Sequence, residues 1–143
     1  MTHDLKLIAT TTLLAGGTHV LLVKYNDMPD HQRGWFLPHD LLAKFEHAAD
    51  AAARALREQL GFAAPMLRLK HVESFKGRDG TWHMPFHFLA ELAERPAIQP
   101  SAALAAAEWF ALDKLPPRSE VAHHGWAIDT IEAVRSPLLP GER

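Results

Sequence analysis

The feature that most constrains the fold is an alanine-rich stretch at residues 48–60, which predicts a helix that ends at Gly61. Alanine is the strongest helix former, and glycine readily adopts the left-handed conformation with which many helices end. Apolar residues at helical spacing form one stripe that is expected to face the core: Phe45, Ala49, Ala52, Leu56 and Leu60. The helix is therefore predicted to be amphipathic.

Strand-like segments lie on both sides of this helix in the sequence. Five segments rich in aliphatic, β-branched and aromatic residues are predicted as strands, namely residues 5–14, 19–25, 67–75, 81–92 and 108–112. Gly16-Gly17 predicts a hairpin turn between the first two strands, and residues 78–80 predict a turn between the third and fourth. Residues 96–107 are expected to form a loop, and residues 121–134 a final helix. This order of elements predicts a mixed α/β sandwich.

Length and composition narrow the class of protein. The chain has 143 residues, which suits one domain over residues 1–143 with a core at about 5–134. The net charge of -2 gives no general electrostatic attraction to nucleic acid or to an anionic membrane, and no stretch approaches the roughly 20 apolar residues of a membrane span. The absence of cysteine excludes disulfides, thiolate metal sites and a cysteine nucleophile, and it fits a cytoplasmic protein.

The spacing of residues 46–62 resembles a Nudix box, whose pattern is G-x5-E-x7-R-E-U-x-E-E-x-G-U with U a bulky aliphatic residue. The matching residues follow one another without a gap: Glu46, Arg54, Leu56, Glu58, Gly61 and Phe62. The preceding Gly34-Trp35-Phe36-Leu37-Pro38 adds to the resemblance, and Glu108-Trp109-Phe110 gives weaker support. The resemblance covers most of the chain and implies a Nudix-type α/β/α sandwich with a mixed sheet.

Three positions depart from the box, where Asp40 replaces the glycine, Ala55 the glutamate after arginine, and Gln59 the last glutamate. In the family the helix carboxylates hold Mg²⁺ or Mn²⁺ against a diphosphate. Positions 55, 58 and 59 lie within roughly 100° of one another on the helix, so two of three carboxylates are lost from one side. A reduced site for Mg or Mn is expected, with Glu58, Gln59 and Asp40 as candidate metal ligands. Restoring glutamate at positions 55 and 59 is expected to raise Mg²⁺ affinity.

The resemblance also suggests roles for the retained box residues. Glu58, Glu46 and Arg54 are the candidate catalytic residues, and the last two match positions that brace the loop and helix in the family. Arg54 and Glu58 are spaced i,i+4, so a simple ion pair is an alternative role for both. His39-Asp40 either rebuilds a metal or acid/base site, or Asp40 shapes a turn while His39 fills the groove that glycine would leave open.

Aromatic and basic residues near the expected cleft are candidates for substrate binding. Trp35, Phe75 and Trp82 are candidates to stack on a base, and ordinary core packing is the alternative for each. Arg33 is a candidate partner for phosphate, and His39 completes the predicted substrate-binding set.

Two functions follow from the resemblance. The first is a divergent hydrolase that acts on a nucleoside diphosphate linked to another moiety, with a reduced divalent-metal site. The alternative is a catalytically inactive Nudix-fold module that binds a nucleotide-type ligand or a partner. The chain is similar to the GDP-mannose mannosyl hydrolases in Gly34-Trp35-Phe36-x-Pro38, but residues 99–107 lack the loop histidine that those enzymes use as base. A homodimer is common in this fold, although the sequence shows no clear interface stripe.

Overall fold

The fold is known from a computed structural model that describes residues 5–29, 33–64, 66–77 and 79–136. The strands are β1 (Leu5–Ala15), β2 (His19–Tyr25), β3 (His39–Leu41), β4 (Arg68–Val72), β5 (Phe75–Lys76), β6 (Trp82–Leu92) and β7 (Leu104–Ala111). The helices are α1 (Ala48–Leu60) and α2 (Ala122–Arg135). No helix among the described residues is long and apolar enough to cross a bilayer.

One sheet contains all the strands and has the order β4-β6-β1-β2-β7, with β3 paired to β1 and β5 paired to β6. The two longest strands, β1 and β6, run parallel along their whole length, from Leu5 opposite Trp82 to Ala15 opposite Leu92. Every other pairing is antiparallel. The sheet is therefore mixed, as predicted.

Each face of the sheet packs against one helix. Leu13 and Leu21 are buried with Leu56 of α1, while their chain neighbours Leu14 and Leu22 are buried with residues of α2. This division follows from strand geometry, because successive side chains point to opposite faces and both faces are covered. The predicted α/β/α sandwich is confirmed.

Helix α1 has the predicted bounds, and Gly61 ends it in the left-handed conformation at φ 63°. The predicted apolar stripe is wrong at Phe45 and Ala49, which are both exposed. Phe45 precedes the helix and has a φ of 65°, so the helical periodicity does not extend back to it. Ala51 and Ala55 are buried instead.

The remaining predictions differ from the structure in detail. The predicted strand 67–75 is two strands with a break at Glu73 and Ser74, and β7 starts at Leu104, inside the predicted loop. Strand β3 was not predicted, and it brings His39 opposite Thr10 of β1. In the turn before β6, Asp79 accepts hydrogen bonds from Thr81, while Arg78 lies outside the described residues.

The final helix is present but irregular at its start. Residues His123, His124 and Gly125 have φ values of 55°, 58° and 90°, so the regular right-handed part begins at Trp126. Left-handed backbone is costly for residues other than glycine, and here it is held between Arg118 and the body of α2. His123 and Trp126, at this irregular start, line the cleft described next.

Candidate functional site

A cleft of about 850 Å³ opens beside β3, between β5 and the first turns of α2. Its aromatic and imidazole rings come from both sides: Tyr25, Phe36, His39, Phe75, His83, His123 and Trp126. Its charged side chains are Lys6, Asp40, Glu73, Lys76, Asp79 and Asp129. A cleft with flat walls and charges of both signs suits a ligand that carries a ring and an anionic group.

Arg54 lies at the centre of the box carboxylates. Its Nε and Nη2 atoms donate to the two oxygens of Glu46, each at 3.0 Å, and its Nη1 donates to Asp40 Oδ2 at 2.9 Å. Nη2 also donates to the backbone oxygen of Leu41 at 2.9 Å. Glu58 Oε2 lies 3.7 Å from the same guanidinium, and its side chain is 58% exposed. The cation that these three carboxylates surround is Arg54 itself.

The electrostatics agree with this arrangement. Hydrogen bonds from Arg54 and from the Ala43 backbone N–H lower the pKa of Glu46 to about 2. The same bonds to Glu46, and those to Asp40, raise the pKa of Arg54 above its ordinary value. The second oxygen of Asp40 accepts from the Leu41 backbone N–H at 2.8 Å. Both oxygens of Asp40 therefore accept hydrogen bonds within the protein, and the one from Arg54 links β3 to α1.

Gln59 links α1 to β2 and β3 through the oxygen and the nitrogen of its side-chain amide. Nε2 donates to the backbone oxygen of His39 at 2.8 Å, and Oε1 accepts from the Tyr25 hydroxyl at 2.7 Å. That hydroxyl in turn accepts from the His39 backbone N–H at 2.9 Å. Burial raises the pKa of the Tyr25 hydroxyl, so it remains a neutral donor. The three residues form a closed polar network at the floor of the cleft.

His39 fills the space above this network. Its ring lies 4.5 Å from the Phe36 ring and 4.9 Å from the Tyr25 ring, measured between centroids. Burial lowers the pKa of His39, so the imidazole is neutral near pH 7 and its Nδ1–H donates to Leu37 O at 2.9 Å. The His39 ring is therefore packed against two aromatic rings in the lining of the cleft.

A family comparison decides what kind of domain carries this cleft. A family model described as the NUDIX domain matches residues 5–130, which is most of the chain. The chain belongs to the Nudix family. Nudix proteins are generally hydrolases that use divalent metal ions. No curated protein matches the chain.

Solved Nudix structures share the fold at low sequence identity. The MutT NUDIX hydrolase from Burkholderia pseudomallei is 24% identical with a TM-score of 0.76, over 92% of this chain and 98% of that chain. The M. Smegmatis Nudix hydrolase RenU is 24% identical with a TM-score of 0.69, over 96% and 89%. The NUDIX domain of Shewanella oneidensis NrtR, solved with ADP ribose, is 19% identical with a TM-score of 0.71, over 92% and 88%. At these identities the likeness shows the fold alone.

The box residues of this Nudix domain do not fit a divalent metal ion. Ala55 offers no ligand atom and is 2% exposed, and Gln59 uses both amide atoms inside the protein. Asp40 bonds Arg54 and the Leu41 backbone, and Glu58 is the most exposed of the three carboxylates around Arg54. Within the described ranges, no group of three histidine or acidic side chains could hold a metal ion. Hard cations need several oxygen ligands, and two of the three candidate metal ligands, Asp40 and Gln59, already hydrogen-bond other groups of the protein.

The predicted substrate-binding residues are dispersed in this Nudix fold. His39 and Phe75 line the cleft. Trp35 does not, because it is buried in the core with its ring 4.9 Å from that of Phe110. Trp82 is 44% exposed beyond Phe75, in a shallow second depression of the surface. Arg33 lies outside the cleft, and its Nε donates to Met28 O.

Sequence reasoning missed Glu73, an acidic residue of the cleft lining, and the buried His87 behind it. Glu73, in the break between β4 and β5, accepts a hydrogen bond from His87 Nε2 at 2.6 Å and another from Trp126 Nε1 at 3.0 Å. His87 is 1% exposed and also bonds Thr10 at 2.6 Å. The available signal was His87 itself, a polar residue inside the apolar run of β6, where burial requires partners.

His39 predicts a specific dependence of stability on pH. The unfolded chain takes up a proton below about pH 6.5, whereas the folded protein resists it, so stability is lost as the pH falls below that value. Because one proton is involved, the free energy of unfolding should change by at most about 1.4 kcal/mol per pH unit. Urea unfolding from pH 7.5 to 5.5 measures this slope. We expect His39→Asn to flatten it and His47→Asn, at an exposed position, to leave it unchanged. An equal slope in all three proteins would contradict the prediction.

Proposed function

We propose that this chain is a Nudix module that binds a nucleotide-type ligand in its cleft without divalent-metal hydrolysis. The observation that carries the proposal is the Gln59 amide, which bonds the His39 carbonyl and the Tyr25 hydroxyl where the box would present a carboxylate. The NH₂ group of an amide is a hydrogen-bond donor and repels a cation, so Gln59 disfavours a metal ion at this end of the cleft. Of the two functions left open by the sequence, the geometry favours the binding module.

The ligand class follows from the walls and charges of the cleft. Phe36, Phe75 and Trp126 offer flat apolar surface for a heterocycle. Lys76 lines the same cleft and forms no ion pair among the described residues, so its ammonium group is available to a phosphate. Lys6, at the rim, is shared with Asp79 at 3.2 Å. We therefore propose a nucleoside diphosphate linked to another moiety, and the ADP ribose complex of the NrtR domain offers a first probe.

The alternative is the divergent hydrolase with a reduced Mg²⁺ or Mn²⁺ site, and Glu58 is the observation that favours it. Its side chain is 58% exposed and lies 3.7 Å from Arg54, whereas that of Asp40 is 42% exposed, so Glu58 is the more accessible of the two candidate carboxylate ligands. In that case Glu58 would be both catalytic and metal-binding, and Glu46 and Arg54 would hold the loop. The homodimer and the cytoplasmic location remain predictions from the sequence.

The two functions are separated by calorimetry with ADP-ribose and nucleoside diphosphates in EDTA, in Mg²⁺ and in Mn²⁺, with product analysis of each mixture. We expect binding of similar affinity in all three buffers and no product. Metal-dependent turnover that disappears in Glu58→Gln would replace the proposal with the hydrolase. Absence of binding by every nucleotide would reject both and leave the partner-binding alternative.

Lys76 gives the binding test a residue-level prediction. Lys76→Met should weaken nucleoside diphosphate binding about tenfold, which is about 1.4 kcal/mol, because one partly desolvated contact with phosphate is lost. Lys70→Met is the matched control, since Lys70 is an exposed lysine of β4 outside the cleft. Equal affinities for the two variants would remove Lys76 from the binding site.

A further inference from the structure

Glu73 is an acidic residue placed on a wall that otherwise consists largely of aromatic rings. It sits in the break between β4 and β5, where its backbone N–H donates to Pro85 O at 3.0 Å, and its side chain lines the cleft. Its side-chain hydrogen bonds go to His87 and Trp126, which lie outside the Nudix box. Its function therefore has to be sought in what it presents to the cleft.

The carboxylate of Glu73 is held in one orientation. Oε1 accepts from both His87 Nε2 and Trp126 Nε1, at 2.6 and 3.0 Å. An indole nitrogen can only donate, so this oxygen must be an acceptor. The bond from His87 lowers the pKa of Glu73, and the carboxyl is ionised at neutral pH. His87 is fixed in turn by buried Thr10, so the orientation of Glu73 is determined from inside the sheet.

The other oxygen of Glu73 is available to a ligand. The other acidic residues of the cleft are each paired with a basic side chain: Asp40 with Arg54, Asp79 with Lys6, and Asp129 with Arg118. Glu73 has no arginine or lysine partner, and its Oε2 forms no hydrogen bond within the part of the chain that the structure describes. An ionised oxygen on an apolar wall is a strong acceptor without a donor.

The rings around Glu73 define the shape of the group that would supply this donor. The centroids of Phe75 and Trp126 lie 5.6 Å apart with their planes perpendicular, and the Phe36 ring lies 5.3 Å from Trp126. Such walls contact a flat heterocycle on its face and on its edge. A donor on the rim of that heterocycle would reach the carboxylate.

We infer that Glu73 selects the base of the ligand by accepting a hydrogen bond from its exocyclic amino group on Oε2. This inference rests on the proposed function and adds a ligand class to it, namely nucleotides with an amino-bearing base. A base without that donor would cover Oε2 and leave it without a hydrogen-bond donor, which is the condition under which polar groups discriminate most strongly.

The test compares matched ligands. For whichever of ADP, CDP and GDP binds tightest, calorimetry gives its affinity beside that of the analogue in which hydrogen replaces the amino group. We expect the amino form to bind about tenfold tighter to the wild-type protein. Equal affinities would overturn the inference while leaving nucleotide binding intact. No binding by any of the three or by ADP-ribose would reject the proposed function, and the inference with it.

Glu73→Gln sharpens the comparison. Because Trp126 and His87 both donate to the same oxygen, the glutamine must keep its carbonyl oxygen there and turn its NH₂ group towards the ligand. Two donors then face each other, so the preference for the amino form should disappear while the analogue binds as before. Glu108→Gln, at an exposed glutamate of β7 outside the cleft, should retain the preference. A preference that survives in folded Glu73→Gln would overturn the inference, and the wild-type comparison decides the matter if that variant does not fold.

Discussion

Replacing Gln59 with glutamate should make the stability of this domain depend on divalent metal ions. In EDTA, Gln59→Glu is expected to lower the free energy of unfolding by about 2 kcal/mol, because it removes a hydrogen bond and places a charged oxygen against a carbonyl oxygen. In the wild-type protein, Gln59 Nε2 donates to the backbone oxygen of His39 at 2.8 Å, and in the variant a carboxylate oxygen would take the place of this nitrogen. The new carboxylate cannot donate, so the contact changes from attractive to repulsive.

A divalent cation should reverse this loss. A carboxylate and a backbone carbonyl that face each other are two oxygen ligands of the kind that Mg²⁺ and Mn²⁺ prefer. Binding to the folded state alone stabilises it by RT ln(1 + [L]/Kd), so a concentration ten times the Kd restores about 1.4 kcal/mol. The measurement is urea unfolding of the variant and the wild-type protein in EDTA, in Mg²⁺ and in Mn²⁺.

The matched control is Gln99→Glu, which makes the same chemical change at an exposed side chain. It should change stability little in any of the three buffers. If Gln59→Glu loses no stability in EDTA, the amide does not hold the loop as described. If stability is lost but neither metal restores it, the His39 carbonyl is not positioned as a metal ligand. Gln59 would then not be the residue that keeps metal ions out of the cleft.

The α/β/α sandwich could be predicted from the sequence because the strands and helix α1 are each marked by residues that are close together in the chain. Adjacent leucines at positions 13 and 14, and again at 21 and 22, require strands that are covered on both faces. The alanine-rich run and Gly61 set the bounds of α1 without any tertiary contact. The box spacing then identified this helix with that of a Nudix domain, and the family model agrees.

The candidate site was less predictable because its contacts join distant segments and backbone atoms. The bond from Gln59 to His39 O spans 20 residues and ends on a carbonyl, which no side-chain pattern encodes. Angular spacing placed positions 55, 58 and 59 on one side of α1, but it could not tell that Ala55 is buried while Glu58 is exposed. Glu73 lies in the break between β4 and β5 and His87 lies in β6, so their hydrogen bond depends on how β4 pairs with β6.

Ala55→Glu should cost more stability than any other change considered for the helix. Ala55 is 2% exposed, and the neighbouring charged group, Arg54, is already bonded to two carboxylates. Burying an unpaired carboxylate without hydrogen-bond donors is expected to cost about 4 kcal/mol at pH 8. Restoring the family's glutamate here therefore disrupts the helix–sheet contact, and it adds to metal affinity only if the protein can tolerate it. Ala49→Glu makes the same substitution at an exposed position of the first turn, where a negative charge favours the helix, and should be nearly neutral.

The dependence of this loss on pH identifies its cause. Burial would raise the pKa of the new carboxyl above its unfolded value of about 4.3, so the folded state would hold a proton that the unfolded state releases. Stability would then fall as the pH rises above about 4.3, and the deficit relative to the wild-type protein should be smaller at pH 4.5 than at pH 8. Overpacking by the longer side chain would give a deficit that is independent of pH. Urea unfolding of Ala55→Glu, Ala49→Glu and the wild-type protein at both pH values separates the two, and a constant deficit would show that volume, not charge, excludes glutamate from this position.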